Sequence, residues 1–227
     1  MKQTTNGAKT LLLSFLELRR AVGYVGLGLP FAVSLGGWAV FGNGLQDSIS
    51  SYYYTGMRDV LVGALCAIGI FMLSYKGYEP KDSIAGNLAG LFAFGVALFP
   101  TTPTPSASTC QEIIGHVHLA FASLFFSTLA YFSLRLFTKT DQAVPSNKKL
   151  QRNKVYRTCG YAMVACLILI LAAKISHASD TGGALGKWDL IFWLESIAIA
   201  AFGVSWMTKG EAILKDLEPE QPGTQSI

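Results

Sequence analysis

Glu195 poses the sharpest chemical question in this sequence. It lies about two turns into the apolar run from Trp188 to Met207, roughly 10 Å along a helix rising 1.5 Å per residue. A carboxylate at that depth in hydrocarbon is costly, so it is either functional or held in an ion pair, with Lys174 or Arg58 as partner. The three histidines, His116, His118 and His177, also fall at the ends of apolar runs, as do Asp59, Glu112 and Asp180. His118, His177, Asp59 and Glu195 together form a donor set that suits zinc. Four separate segments would have to converge to build it, however. His116 and His118 are two apart and point about 200° away from each other on a helix, so they cannot share one ion there. Histidines satisfying interfacial hydrogen bonds are therefore the preferred reading. No metal is favoured and no cofactor is expected. Glu195, Asp59 and His118 are the candidates for catalysis. Arg58 and His177 join them as candidates for ligand binding.

Other chemistry is sparse. The segment Ser48-Ile49-Ser50-Ser51-Tyr52-Tyr53-Tyr54-Thr55 is dense in hydroxyls and rings. It suits contact with lipid headgroups or a glycan, or packing over a bundle mouth. Arg58-Asp59 reads as a local ion pair, and Thr101 to Pro105 as a stiff extended connector. The sequence contains no nucleophile elbow, phosphate-binding loop, HExxH or CxxC. Gly23, Gly26 and Gly28 follow no strand and so fail the context of a dinucleotide fingerprint. Gly86 and Gly90 have the spacing of close helix packing. Cys66, Cys110, Cys159 and Cys166 suggest no disulfide framework.

The elements that must position these residues are membrane helices. Only 14% of the 227 residues are charged, 51% are hydrophobic and the mean hydropathy is +0.40. A soluble domain carries roughly 25% charged residues. Three runs reach the length of a bilayer crossing, Ala21–Phe41, Ile113–Phe137 and Trp188–Met207. Three shorter ones, Val60–Tyr75, Ile84–Phe99 and Tyr161–Ala173, are lengthened by flanking residues that snorkel. The expected fold is all-α, a polytopic six-helix transmembrane bundle over 21–210. A cytoplasmic segment over 1–20 precedes it, as a surface helix or an inner extension of the first span. A disordered cytoplasmic tail over 211–227 follows.

Lysine and arginine set the orientation. They crowd the N-terminus, the 76–81 connection, the 139–157 segment and the C-terminus, while Asn43–Met57 and Thr101–Gly115 hold none. That alternation puts both termini in the cytoplasm of a cell-membrane protein. Trp38 and Trp188 then mark outer ends, and Trp206, Tyr75, Tyr78 and Tyr156 mark inner ones. The basic 139–157 segment is topological charge able to touch anionic lipid, so nucleic acid is not an expected partner.

Several runs carry a family resemblance. Ser48-Ile49-Ser50 with Arg58-Asp59 opening a span resembles the first outer loop of the Sfk/DRAM-type six-helix membrane proteins. Tyr75-Lys76, Asn87 with Gly90, His118 and Glu195 add to the likeness. Tyr53-Tyr54-Thr55, Val62-Gly63 and Val96-Ala97-Leu98-Phe99-Pro100-Thr101 look like an uncharacterised bacterial family with the same six-helix plan. The resemblance runs from about Ala21 to Gly210. Its eukaryotic members include a factor for lipid remodelling of GPI anchors, so it implies lipid-related work at the membrane, with Asp59, His118 and Glu195 as matching positions. The leading expectation is a protein that binds or organises membrane lipid through an outward polar cavity. A membrane-embedded hydrolase or lipid-remodelling enzyme is the alternative, and a small-solute or proton-coupled transporter the next.

Overall fold

The structure, a computed structural model, describes residues 2–77, 79–140, 146–175 and 190–214, with side chains from residue 15 onward. His177, Asp180, Lys187 and Trp188, together with Tyr78 and the tail from residue 215, lie outside the described residues. The described residues form six α-helices: α1 (Lys2–Phe41), α2 (Arg58–Leu73), α3 (Pro80–Leu98), α4 (Thr109–Tyr131), α5 (Asn147–Ile175) and α6 (Leu190–Lys209). Four of them are long and apolar enough to cross a membrane, over Phe15–Phe41, Thr109–Leu136, Asn147–Ile175 and Leu190–Lys209. Of the other two, α2 has 16 residues and α3 opens with Lys81 and Asp82.

Each helix packs against its neighbours in the chain, and α6 closes back on α1, giving a ring in chain order. Local sequence explains the close seams. The Gly69 and Gly90 backbones of α2 and α3 approach so tightly that a Cβ on Gly90 would lie 2.8 Å from the Gly69 carbonyl oxygen. Gly23 and Gly203 play the same part between α1 and α6. Small residues at such contacts let helix backbones approach where lipid supplies no hydrophobic drive. Ala85, Ala89, Ala93 and Ala97 recur every fourth residue and form the buried stripe of α3. Boxes of reciprocal hydrogen bonds cap α3 (Glu79 with Asp82) and α4 (Ser108 with Gln111).

The helix from Lys2 runs unbroken to Phe41, which fits the inner-extension alternative for the N-terminal segment. One expectation changes. Trp206, Tyr75 and Tyr156 are buried, not interfacial. They join Phe132, Phe137 and Phe202 in an aromatic core at the end of the ring where α2 stops and α5 starts. A π turn over Phe132–Leu136, closed by the Phe137 N–H on the Phe132 carbonyl at 2.8 Å, extends α4 there. The wider turn lets Phe132, Ser133, Leu136 and Phe137 all face inward. Trp38 by contrast is exposed, as expected of an end-of-span ring.

Candidate functional site

The opposite end of the ring holds the chemistry. After α1, residues 42–57 cross its mouth and include a short 3-10 helix, Ser50–Tyr54, that buries Ile49 and Tyr52 against α1 and α2. The hydroxyl-rich loop therefore packs over the bundle. Two further contacts fix the mouth. The Tyr54 hydroxyl donates to the Thr101 carbonyl at 2.6 Å, and the Thr104 hydroxyl to Asp47 at 3.2 Å. Burial, with Tyr53 adding to it and Arg58 opposing, holds the Tyr54 hydroxyl above its usual pKa and keeps it a donor.

Glu195 reaches this cap from α6. Its carboxylate accepts the Ser50 N–H at 3.1 Å and is within reach of the Ser50 O–H at 3.4 Å, so it shares that hydroxyl proton with the His118 imidazole. The same hydroxyl oxygen is 3.2 Å from Nε2 of His118, a buried residue of α4. On the other side of the ring, Nδ1 of His118 sits 2.6 Å from the Phe99 carbonyl oxygen. A carbonyl only accepts, so Nδ1 carries a proton, and Nε2 of the neutral imidazole presents its lone pair to Ser50. Three segments distant in sequence thus converge on one serine hydroxyl.

Space surrounds this cluster on two sides. A cleft of about 370 Å³ opens between α4, α5 and α6. Leu119, Phe126, Leu167 and Ile170 give it apolar walls, and His116, His118, Lys174 and Glu195 give it a polar rim. Inside the ring lies a smaller apolar cavity of about 60 Å³ that reaches Ser50 and Glu195. The two share Ala122, Phe126 and Glu195 as wall.

The sequence candidates divide. Glu195 and His118 come together. Asp59 is exposed on the first turn of α2, lines neither cavity, and makes no ion pair among the described residues. Its expected pairing with Arg58 is absent as well. Arg58 instead donates from Nε to the Tyr53 carbonyl at 2.7 Å and lays its guanidinium 4.6 Å from the Tyr53 ring centre. The cleft is thus lined by His118 and Glu195 but not by Asp59. No ion pair within 4.0 Å joins Glu195 to Lys174 or Arg58 among the described residues, although Lys174 and Glu195 line the same cleft. His116 is exposed and uses Nδ1 on the Glu112 carbonyl of its own helix, so it joins His118 on the cleft rim without sharing its hydrogen bonds. Among the described residues no three His, Cys, Asp or Glu side chains gather as metal ligands, and His177 lies outside them.

Two participants escaped the sequence reading. Ser50 figured only in the hydroxyl-rich run and in the Ser48-Ile49-Ser50 resemblance, and nothing in spacing gives it a chemical role. Lys174 figured only as an ion-pair partner. A serine and a histidine 68 positions apart leave no periodic signal. Compared with the models of known families, with curated proteins and with solved structures, the chain matches none.

Proposed function

We propose that this chain is a six-span integral membrane protein of the cell membrane, with both termini cytoplasmic, that binds a membrane lipid in the outward cleft between α4, α5 and α6. The cleft carries the reading. Its volume of about 370 Å³ falls in the range of small-molecule sites, with apolar walls and a few polar groups gathered at one end. That division fits an amphiphile. The chain lies along Leu119, Phe126, Leu167 and Ile170, and an anionic head meets Lys174. The resemblance to Sfk/DRAM-type proteins belongs to the same proposal.

Two features support the span count and the orientation. Large apolar side chains stand exposed on every helix, among them Phe31, Ile70, Leu91, Ile113, Ile168 and Trp193. Soluble proteins rarely leave so much contiguous apolar surface to water. Arg19, Arg20, Lys139, Lys149, Arg152 and Lys209 share the aromatic end of the ring, as cytoplasmic charge does.

Lipid extracted from the purified protein tests the binding site. Native mass spectrometry is expected to find bound phospholipid that is lost in Ser123→Trp, which fills the cleft. Full retention in that variant places the lipid elsewhere. Cys110, exposed at the start of α4, tests orientation. A membrane-impermeant maleimide added to intact cells is expected to label it, with Cys110→Ala as control. Labelling only after lysis reverses the topology.

A further inference from the structure

We infer that Ser50 is an acyl-accepting nucleophile, with His118 as its general base, acting on an ester of the amphiphile that occupies the cleft. The inference rests on the lipid-binding reading and adds a reaction to it.

The geometry has three parts. First, Nε2 of His118 stands 3.2 Å from the Ser50 hydroxyl oxygen, at the edge of hydrogen-bond reach for a serine and its base. Second, the imidazole is fixed in the tautomer that a base requires. Its Nδ1–H is committed to the Phe99 carbonyl at 2.6 Å, which leaves Nε2 free to take a proton. A carboxylate often plays this orienting part, and here a backbone carbonyl does. Third, the serine is held in position. Its own N–H is bound by Glu195 at 3.1 Å, which ties the start of the 3-10 helix to α6. Glu195 is thus a positioning residue for the loop that bears Ser50.

Ser50 also lies where a reacting carbon can reach it. It lines the interior cavity with Glu195, and a small recess with His118, Val96 and Pro100. The large cleft adjoins the interior cavity across Ala122, Phe126 and Glu195. An ester in the cleft that turns past Phe126 into the apolar interior brings its carbonyl into the cavity that Ser50 lines.

The reaction balances without a metal or a redox partner. The Ser50 oxygen bonds to the ester carbonyl carbon as its proton passes to Nε2 of His118. The carbon–oxygen bond to the alcohol breaks, and that oxygen takes the proton from His118. The acyl group remains on Ser50. A water then attacks the same carbon and gives a proton to Nε2. The Ser50 oxygen leaves and recovers that proton, freeing a carboxylic acid.

An alkyl fluorophosphonate tests the assignment on the full-length protein in detergent micelles. Intact-mass and peptide analysis of the wild type are expected to find one adduct, on Ser50 and not on Ser48 or Ser51. Ser50→Ala abolishes the adduct, and His118→Ala slows labelling by about a hundredfold or more, the typical span of a general base. The absence of any adduct on wild type, or its survival in Ser50→Ala, overturns the proposal. Bound lipid is measured on the same samples. Lipid present without acylation removes only the nucleophile, whereas loss of lipid from wild type removes the binding reading on which it rests. Retained lipid in Ser50→Ala also shows that the variant is folded.

Discussion

The two ends of the helical ring solve opposite problems. At the basic end, Tyr75, Phe132, Phe137, Tyr156, Phe202 and Trp206 meet in a chain of tilted and edge-on rings with centroids 5.2 to 6.1 Å apart. Cations lie over it: Arg19 is 5.6 Å from the centre of the Tyr75 ring, Lys209 5.5 Å from Phe137 and Lys149 6.0 Å from Tyr156. Such contacts favour each charge by about 0.5–2 kcal/mol and keep its head at the interface. These rings fill the interior of the ring there, while a groove of about 370 Å³ runs between α3 and α4 from Lys81 to Tyr131. The other end is roofed by a single turn of 3-10 helix and keeps two cavities beside a carboxylate, a hydroxyl and an imidazole.

The largest expected effect breaks the closed end. Trp206→Ala removes the ring that touches Tyr75, Phe132, Phe137 and Phe202, and is expected to cost about 3–5 kcal/mol. Denaturant or thermal unfolding in micelles measures it. If the two ends are separate devices, lipid retained by the folded fraction is unchanged. A parallel loss of lipid would join the ends into one.

Glu195 is the next in size. Replacing it with alanine leaves the Ser50 N–H without its acceptor and is expected to cost about 1–3 kcal/mol. Glu195→Gln keeps an amide oxygen in reach of that N–H, so it should recover most of the loss in the same unfolding assay. Equal instability of both variants would mean that the charge itself, and not its hydrogen bond, holds the roof. Lys174 then separates binding from stability. It is exposed, so Lys174→Glu should leave unfolding unchanged, while affinity for an anionic phospholipid in nanodiscs falls roughly tenfold or more. Unchanged affinity would take the headgroup away from Lys174.

The same contrast explains what was legible in the sequence. Six helices, their order and the apolar outer faces follow from run length and composition, because each helix writes its burial into contiguous residues. The helix-packing role of Gly86 and Gly90 was readable for the same reason. Trp206, Tyr75 and Tyr156 misled. Their types suit an interface, but the π turn at Phe132–Leu136 adds inward-facing rings that draw them into a core, and no propensity announces that turn. Asp59 misled in another way. Its place at the start of α2 matched that of a site residue, yet the rotation of the helix leaves it facing out. Glu195 stood out through its cost in hydrocarbon, and His118 through its place at an outer helix start. Their meeting on Ser50 depends on how three segments close a ring, which is a property of packing alone.

The smallest effect concerns the ion-pair cluster that Lys139 builds at the basic end, and it sharpens how that end is held. Lys139 follows the π turn and reaches both Glu79 at 3.1 Å and Asp82 at 3.2 Å, the two members of the α3 capping box. The hydrogen bond to Glu79, then the bond and charge of Asp82, raise the Lys139 pKa above its ordinary value, with desolvation opposing them. A lysine whose pKa is higher folded than unfolded adds stability that is fully present below the unfolded value of 10.5. That stability fades as pH rises through the folded value. The contribution should therefore be constant across the neutral range, so Lys139→Met should lower stability slightly and evenly there, lose less above pH 10.5, and so flatten the alkaline decline. Because Lys139 is solvent-screened, the flattening should be slight and should shrink further at high salt. A Lys139→Met protein that loses stability equally at pH 7 and pH 11, in low and high salt, would show that the lysine stem matters more than its charge.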